Sequence, residues 1–391
     1  MPLLRNWRKK RVTKSNDKKV PALRFKGFTD DWEQRKFNKI ANKIGATSSA
    51  KIPNVSYDDI LSKRGVLNKK ISKLSTGKKG IKFKENDILF GKLRPYLKNY
   101  LLADFSGIAI GDFWVLRPLE SPDFLFYLIQ SQKFTYISNI SSGSKMPRSD
   151  WKLVSSFHFD IPKINEQIGI GKVLKLLDKL ISLQQRKLRY LSAIKKSLLQ
   201  NMLVDNDLRP ELRFTKFSGN WEQHKISEMA KRLDNLRIPV TASNRKKGDI
   251  PYYGANGIQD YVEGFTHKGE NILIAEDGAN NLDNYPIRLV KGKIWVNNHA
   301  HVLKAYKNCT DIQFLEFELK KLNIYKYLVG GSRLKLNADI LMNISIKSPT
   351  LKEQKKIGFM LSLLEENTIF QQRKLNKLEL LNQFFLQHMF I

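Results

Sequence analysis

The chain has 391 residues, too long for one ordinary domain, and a single cysteine, Cys309, which excludes a disulfide framework and fits a reducing compartment. Its 69 Lys+Arg outnumber 37 Asp+Glu to leave a formal charge of +32, an excess that points to a polyanionic partner, nucleic acid first. No run of 18 apolar residues occurs and the basic N-terminus lacks a signal-peptide core, so a cytoplasmic protein without a membrane is expected.

In chain order, residues 1–20 carry eight Lys/Arg and one acid and read as a basic flexible tail. Residues 21–44 follow as PALRFKGFTDDWEQRKFNKIANKI, and 189 positions later residues 210–233 read PELRFTKFSGNWEQHKISEMAKRL. Ten of these 24 ungapped positions are identical, among them Trp32 and Trp221. A second echo falls at an offset of 187: Glu166-Gln167 with Glu353-Gln354, Ile170-Gly171 with Ile357-Gly358, and QQRKL at 184–188 with QQRKL at 371–375. The chain is a tandem duplication.

Pro162 and Pro349 precede the second echo, where proline closes a chain segment before a helix. Counting alternately four and three from Ile170 gives Leu174, Leu177, Ile181, Gln184, Leu188, Leu191, Lys195, Leu198 and Met202. The second half gives Ile357, Leu361, Leu364, Thr368, Gln371, Leu375, Leu378, Asn382, Phe385 and Met389. Mostly apolar 4-3 spacing over five heptads predicts a coiled-coil seam between helices over 166–203 and 353–390. The alternative is a pair of long core helices in ordinary domains. Each helix is about 57 Å long. Because the second globular region begins within about 21 residues of the first helix's far end, the returning helix is expected to run antiparallel. The polar seam residues Gln184, Lys195, Gln371 and Asn382 cost stability, and they either fix the register or mark a wet patch.

Residues 45–160 and 234–347 mix short β-type runs with turn residues, for example NDILF at 86–90 and NILI at 271–274. Their flanks match, Val115-Leu116-Arg117 with Val302-Leu303-Lys304 and Gly143-Ser144-Lys145 with Gly331-Ser332-Arg333, while GKLRPYLKNY at 91–100 and AEDGANNLDNY at 275–285 do not. A common scaffold with divergent interiors suits two reading heads for two sequences, although drift in unselected loops looks the same.

Basic and aromatic side chains interleave in both regions. The candidate DNA-binding residues of the first are Lys78, Lys79, Lys82, Lys92, Arg94, Tyr96, Lys98 and Lys145. Those of the second are Arg245, Lys246, Lys247, Tyr252, Tyr253, Asn256, Asn280 and Arg333. Lys and Arg neutralise phosphates, whereas Arg and Asn also pair with base edges. Any single lysine here is better explained as a solvated charge, so only the cluster as a set carries the expectation.

Chemistry-bearing motifs are missing. There is no proline pair for a [DN]-P-P-[YF] amino-methyltransferase motif and no phosphate-binding G-x-x-x-x-G-K-[ST] loop. Glu318-Leu-Lys320 and Glu353-Gln-Lys355 fit part of a nuclease site but lack an upstream aspartate partner, and read as structural. His299-Ala-His301 places two imidazoles on one strand face, yet no second cysteine and no counterpart in the other half support a metal. No catalytic, cofactor or metal residue is assigned.

The LRF…F…WEQ.K opening, the GS-[KR] close followed by proline and an EQ..IG helix, and the stretches NDILFGKLRP (86–95), IPYYGANGIQDYV (250–262) and NNHAHVLK (297–304) resemble type I restriction–modification specificity subunits. The resemblance covers nearly the whole chain after residue 20. It implies an α+β protein with two target-recognition domains related by a pseudo-two-fold, each reading half of a split site in double-stranded DNA, separated by an antiparallel coiled coil of two long helices. Segments follow as a tail (1–20), first recognition domain (21–160), first helix (161–204), second recognition domain (205–347) and second helix (348–391). The resemblance further implies a non-catalytic chain whose helices set the gap between half-sites and dock two methyltransferase subunits, with translocase–nuclease subunits completing the restriction complex. S-adenosylmethionine, ATP and Mg then belong to those partners. Removing one turn from each helix, Ala193–Lys196 and its repeat counterpart Leu380–Gln383, is expected to narrow the gap. The competing reading is a nucleic-acid-binding coiled-coil scaffold without sequence selectivity, and a third is an enzyme with an unrecognised active site.

Overall fold

A computed structural model describes residues 7–9, 20–140, 146–204, 207–331 and 333–391. The chain is α+β and divides into two compact units, Met1–Gln185 with Lys374–Ile391, and Arg186–Arg373. Two helices dominate, Ile164–Met202 and Leu351–His388. No helix among the described residues is long and apolar enough to cross a membrane.

The repeated motifs are the parts that fasten a globular region to a long helix. In the first unit Arg24 donates from Nε and Nη2 to both carboxylate oxygens of Glu166 at 2.6 and 2.7 Å. In the second, Arg213 does the same to Glu353 at 2.8 Å for each bond. Both glutamates are 1% exposed. The neighbouring glutamines serve the helix start: Gln167 donates to the carbonyl of Pro162 and Gln354 to that of Pro349, each at 2.9 Å. Trp32 packs edge-on to Phe124, and Trp221 packs edge-on to Phe314. Gly171 and Gly358 are demanded by close approach. A Cβ on Gly171 would lie 2.7 Å from the Asp123 Cβ and 3.1 Å from the Phe124 nitrogen. On Gly358 it would collide with Asp311 Oδ1 and lie 2.7 Å from the Phe314 nitrogen. Each glycine thus lets a long helix rest on the N-terminus of a short one, Pro122–Leu128 or Ile312–Lys321.

Every seam position counted from Ile170 and from Ile357 is buried or half-buried. In the first unit Ile170, Leu174 and Leu177 share a core cluster with Phe385, Met389 and Phe390. Asn382 donates to Asp178 at 3.1 Å and Gln185 to Glu379 at 3.2 Å, so partner numbers fall as residue numbers rise. In the second unit Met202 clusters with Ile357 and Leu361, while Lys195 reaches Glu365 at 2.8 Å. The helix segments within each unit are antiparallel. The polar seam residue Lys195 is not left wet: Glu365 also takes Lys320, which in turn bonds Glu316. That network explains Glu318-Leu-Lys320 as structure, since Lys320 is committed to two carboxylates.

Both units share a three-strand frame. In the first, Phe113–Pro118 lies between Ala41–Ile44 and Ile88–Gly91, with Tyr100–Leu102 beyond. In the second, Ala300–Ala305 lies between Ala230–Arg232 and His267–Ala275, within a six-stranded sheet. The matched VLR and VLK runs occupy the same register: Leu89 faces Val115 as Leu273 faces Val302. The additions differ. The first unit adds a second four-stranded sheet containing Gly80–Phe83, whereas the second lengthens its main sheet with Ile287–Val296, Lys247–Gly254 and Gly257–Val262.

Of the expected N-terminal tail, residues 1–6 and 10–19 lie outside the described residues. The backbone of Trp7–Lys9 pairs antiparallel with Leu23–Phe25, because that short edge strand offers a row of open backbone groups.

Candidate nucleic-acid interface

In the first unit, one loop gathers three of the seven predicted cations and the predicted Tyr96. The loop leaving strand Ile88–Gly91 carries Lys92, Arg94, Tyr96 and Lys98. It is bridged to the segment after the GSK motif: Leu93 pairs with Arg148, Arg94 N–H donates to Pro147 O at 2.8 Å, and Ser149 N–H to Lys92 O at 2.9 Å. Arg94 and Lys98 are left-handed, at φ 49° and 57°, flanking one turn of 3-10 helix over Pro95–Leu97. Non-glycine residues seldom hold that conformation, and such strain gathers at functional sites. Arg94 is exposed and its guanidinium has no hydrogen-bond or ion-pair partner among the described residues. Tyr96 is 52% exposed. Lys92 is half-buried and leans on Asp112 at 3.4 Å, beside Arg148 at 3.1 Å.

Lys78, Lys79 and Lys82 lie apart from this cluster, on and before strand Gly80–Phe83, all exposed. Buried Asn54 fixes the backbone of Lys78 through both its N–H and its carbonyl. Lys145 lies outside the described residues.

In the second unit Lys246 and Lys247 are exposed, as expected of phosphate-seeking charges. Three neighbours are corrected. Tyr252 is 1% exposed: its hydroxyl accepts from Val240 N–H at 3.0 Å, and Arg245 stacks on its ring at 4.1 Å. Tyr253 is a core residue, and burial raises its hydroxyl pKa. Asn256 spends both ends of its amide on backbone, donating to Gly278 O at 2.9 Å and accepting from Asn280 N–H at 3.0 Å. Strand Lys247–Gly254 is exposed over its first three residues and buried over its last three, so the basic start of the run faces solvent while the tyrosines that follow it lie inside. Arg245 is half-buried and also reaches Asp260 at 3.6 Å. Asn280 is exposed, and Arg333 is exposed while pairing with Asp277 at 3.0 Å.

The two histidines do not converge. His299 bonds Asp277 at 2.6 Å on the surface. His301, 1% exposed, bonds Asp234 through Nδ1 at 2.6 Å and the carbonyl of Leu336 through Nε2 at 2.8 Å. Asp234, Glu276 and His301 bring ligand-type atoms within 4.8 Å of one another. Arg237 and Lys335 already sit on Glu276 at 2.6 and 2.8 Å, however, so the chain's own cations match the carboxylate charge. Burial alone would raise the pKa of Asp234, but bonds from His301 and the Val302 N–H outweigh it and hold the carboxyl below its usual range. Burial likewise opposes, and Lys335 and Arg237 reverse, the shift at Glu276, which also ends low. The cluster is a charge network tying strand Ala300–Ala305 to the loops around 234 and 276.

The reading of candidates from sequence missed Arg148 and Lys63. Arg148 stands three residues after Lys145, and Lys63, left-handed at φ 67°, donates its N–H to Lys98 O at 2.9 Å. Nothing in the spacing marks Lys63; the contact forms between residues 35 apart.

Helix faces away from the seam also stay apolar. In the first unit Leu176, Leu180 and Leu183 are 41–52% exposed, with Leu380 at 65%. In the second, Phe359, Leu363 and Phe370 are 55–65% exposed. Such patches on a charged protein mark interaction surfaces.

Comparison with known proteins fits this frame. The family of the type I restriction modification DNA specificity domain matches twice, over residues 29–193 and 218–380, and the chain belongs to that family. A putative type I restriction enzyme specificity subunit of Haemophilus influenzae, S.HindORF215P, is 45% identical over 143 residues, 37% of each chain. The MjaVIII specificity subunit of Methanocaldococcus jannaschii is 21% identical over 64% of this chain and 65% of its own. These matches therefore span less than two thirds of either relative. The crystal structure of an S subunit of a type I restriction–modification system from M. genitalium superposes with a TM-score of 0.71 at 16% identity, covering 95% of this chain and 99% of that one, a likeness of fold.

Proposed function

We propose that this chain is a non-catalytic specificity subunit of a type I restriction–modification complex, each globular unit reading one half of a bipartite site in double-stranded DNA. The observation that carries this is the duplication itself: one frame, fastened twice by Arg–Glu locks to the long helices, holds two differently built interiors. The net charge of +32 suits the phosphate backbone. Under this reading the paired helices set the distance between half-sites, and their exposed leucines and phenylalanines receive two methyltransferase subunits, with translocase–nuclease subunits joining for restriction. S-adenosylmethionine, ATP and Mg are then bound by those partners, in a cytoplasmic complex.

The test is to produce the full chain with its methyltransferase subunit in cells lacking the system and sequence the methylome. One split motif of fixed gap is expected; methylation without a defined motif would favour a scaffold without selectivity. Exchanging residues 45–160 for those of a relative should change one half-site and leave the other. Lys78→Ala and Lys246→Ala should weaken binding to all sequences alike, each lowering the salt dependence by about one unit of log–log slope.

A further inference from the structure

Both units send a hairpin loop out from the same place. In the first it spans residues 92–99, between strands Ile88–Gly91 and Tyr100–Leu102; in the second, residues 276–286, between His267–Ala275 and Ile287–Val296. Each loop begins with the same two contacts to the segment after the GS-[KR] motif. Leu93 bridges Arg148 and Asp277 bridges Lys335, while Ser149 N–H donates to Lys92 O and Leu336 N–H to Glu276 O. The frame thus anchors both loops identically at their bases. Beyond the anchors their chemistry separates.

The first tip is a fixed turn. Left-handed Arg94 and Lys98 bracket Pro95–Leu97, the Leu97 N–H closes on Arg94 O at 2.9 Å, and Lys63 N–H holds Lys98 O. The guanidinium of Arg94 stands free of partners among the described residues, on a backbone that a glycine would adopt at less cost. The second tip is amide-rich and fixed from behind by Asn256, which clasps Gly278 and Asn280 through their backbones. Asn281 is spent on the turn, accepting from Asn284 N–H at 2.8 Å. Asn280 is exposed, and its side-chain amide has no partner among the described residues. A guanidinium matches the O6 and N7 acceptors of guanine, and a carboxamide matches N6 and N7 of adenine, each by paired bonds in the major groove.

We propose that this loop is the base-reading element of each unit, with Arg94 specifying a guanine in one half-site and Asn280 an adenine in the other. The assignment rests on the bipartite reading given above. Asn256 is then a positioning residue, since its amide nitrogen and oxygen each already hold the backbone of the loop.

The experiment uses Arg94→Gly and Asn280→Ala in the full chain, each produced with its methyltransferase subunit and read by methylome sequencing. Arg94→Gly relieves the left-handed strain while deleting the guanidinium, so folding is preserved, and the unaltered half-site is an internal control. Arg94→Gly should make a single G·C position degenerate in one half-site, with discrimination falling roughly 5- to 150-fold, the loss of one bidentate pair. Asn280→Ala should do so at a single A·T position in the other half. Methylation that weakens evenly with both half-site sequences intact would overturn the loop assignment and leave the bipartite reading standing. A wild-type methylome without a split motif would overturn that reading, and this one with it.

Discussion

Arg24 and Arg213 each commit a forked guanidinium to a carboxylate that is almost wholly buried, so removing either arginine strands a charge in the interior. Arg24→Met is expected to cost about 3–5 kcal/mol of stability, and Arg213→Met the same. Adding Glu166→Met to the first should restore most of the loss, because a buried ion pair replaced by apolar side chains is often neutral. Urea unfolding of the full chain measures both, and a loss no larger than the 0–1 kcal/mol of a surface pair would show that the lock does not hold the fold. The recurrence of arginine and glutamate 142 and 140 residues apart in sequence was legible at once; that they meet was not. Neither residue's spacing carries any trace of the other, and only the folded chain brings the opening motif onto the helix start. Tyr252 failed in the opposite sense. An aromatic in a basic stretch reads as a nucleic-acid platform, but the same amphipathic ring serves equally well as core, and Val240 and Arg245 claimed it.

The long helices were the most legible elements, because a 4-3 repeat of leucine and isoleucine lays one continuous apolar stripe along each of them. Their partners across the seam needed the structure. Asp178 is one residue beyond the predicted seam position Leu177, yet it lies inside, taking bonds from Tyr127 at 2.7 Å and Asn382 at 3.1 Å. Burial raises its pKa above the usual range, more than those two bonds lower it. The folded state therefore holds its proton more tightly than the unfolded chain, and the ionised form costs stability at neutral pH. Asp178→Asn should accordingly raise the unfolding midpoint at pH 7. The gain should shrink as pH falls toward the carboxylate range, where the wild-type group is already neutral. Thermal unfolding across that range is the check; a gain that grows on acidification would reverse the assignment.

For the whole molecule, the proposed ruler predicts that shorter helices bring the two half-sites closer. Here the structure changes which residues to remove. Leu380–Gln383 is the repeat counterpart of Ala193–Lys196, but Lys195 faces Glu365, so the turn across the seam is Leu364–Asn367. Deleting Ala193–Lys196 together with Leu364–Asn367 removes about 6 Å of rise from each helix. At about 3.4 Å per base pair, the preferred gap should shrink by roughly one to two base pairs with both half-site sequences unchanged. A double deletant that still assembles and methylates sites of the original spacing would refute the ruler. The sequence by itself determined the duplication, the two long helices and the large positive charge, because identity at fixed offset, apolar period and net charge are all local or additive properties. Tertiary structure alone decided which amides and guanidinium groups remain available, which turn faces which, and that two unlike loops stand on one anchor. Those depend on contacts between residues far apart in the chain, and a residue's chemistry does not announce whether the fold has already spent it.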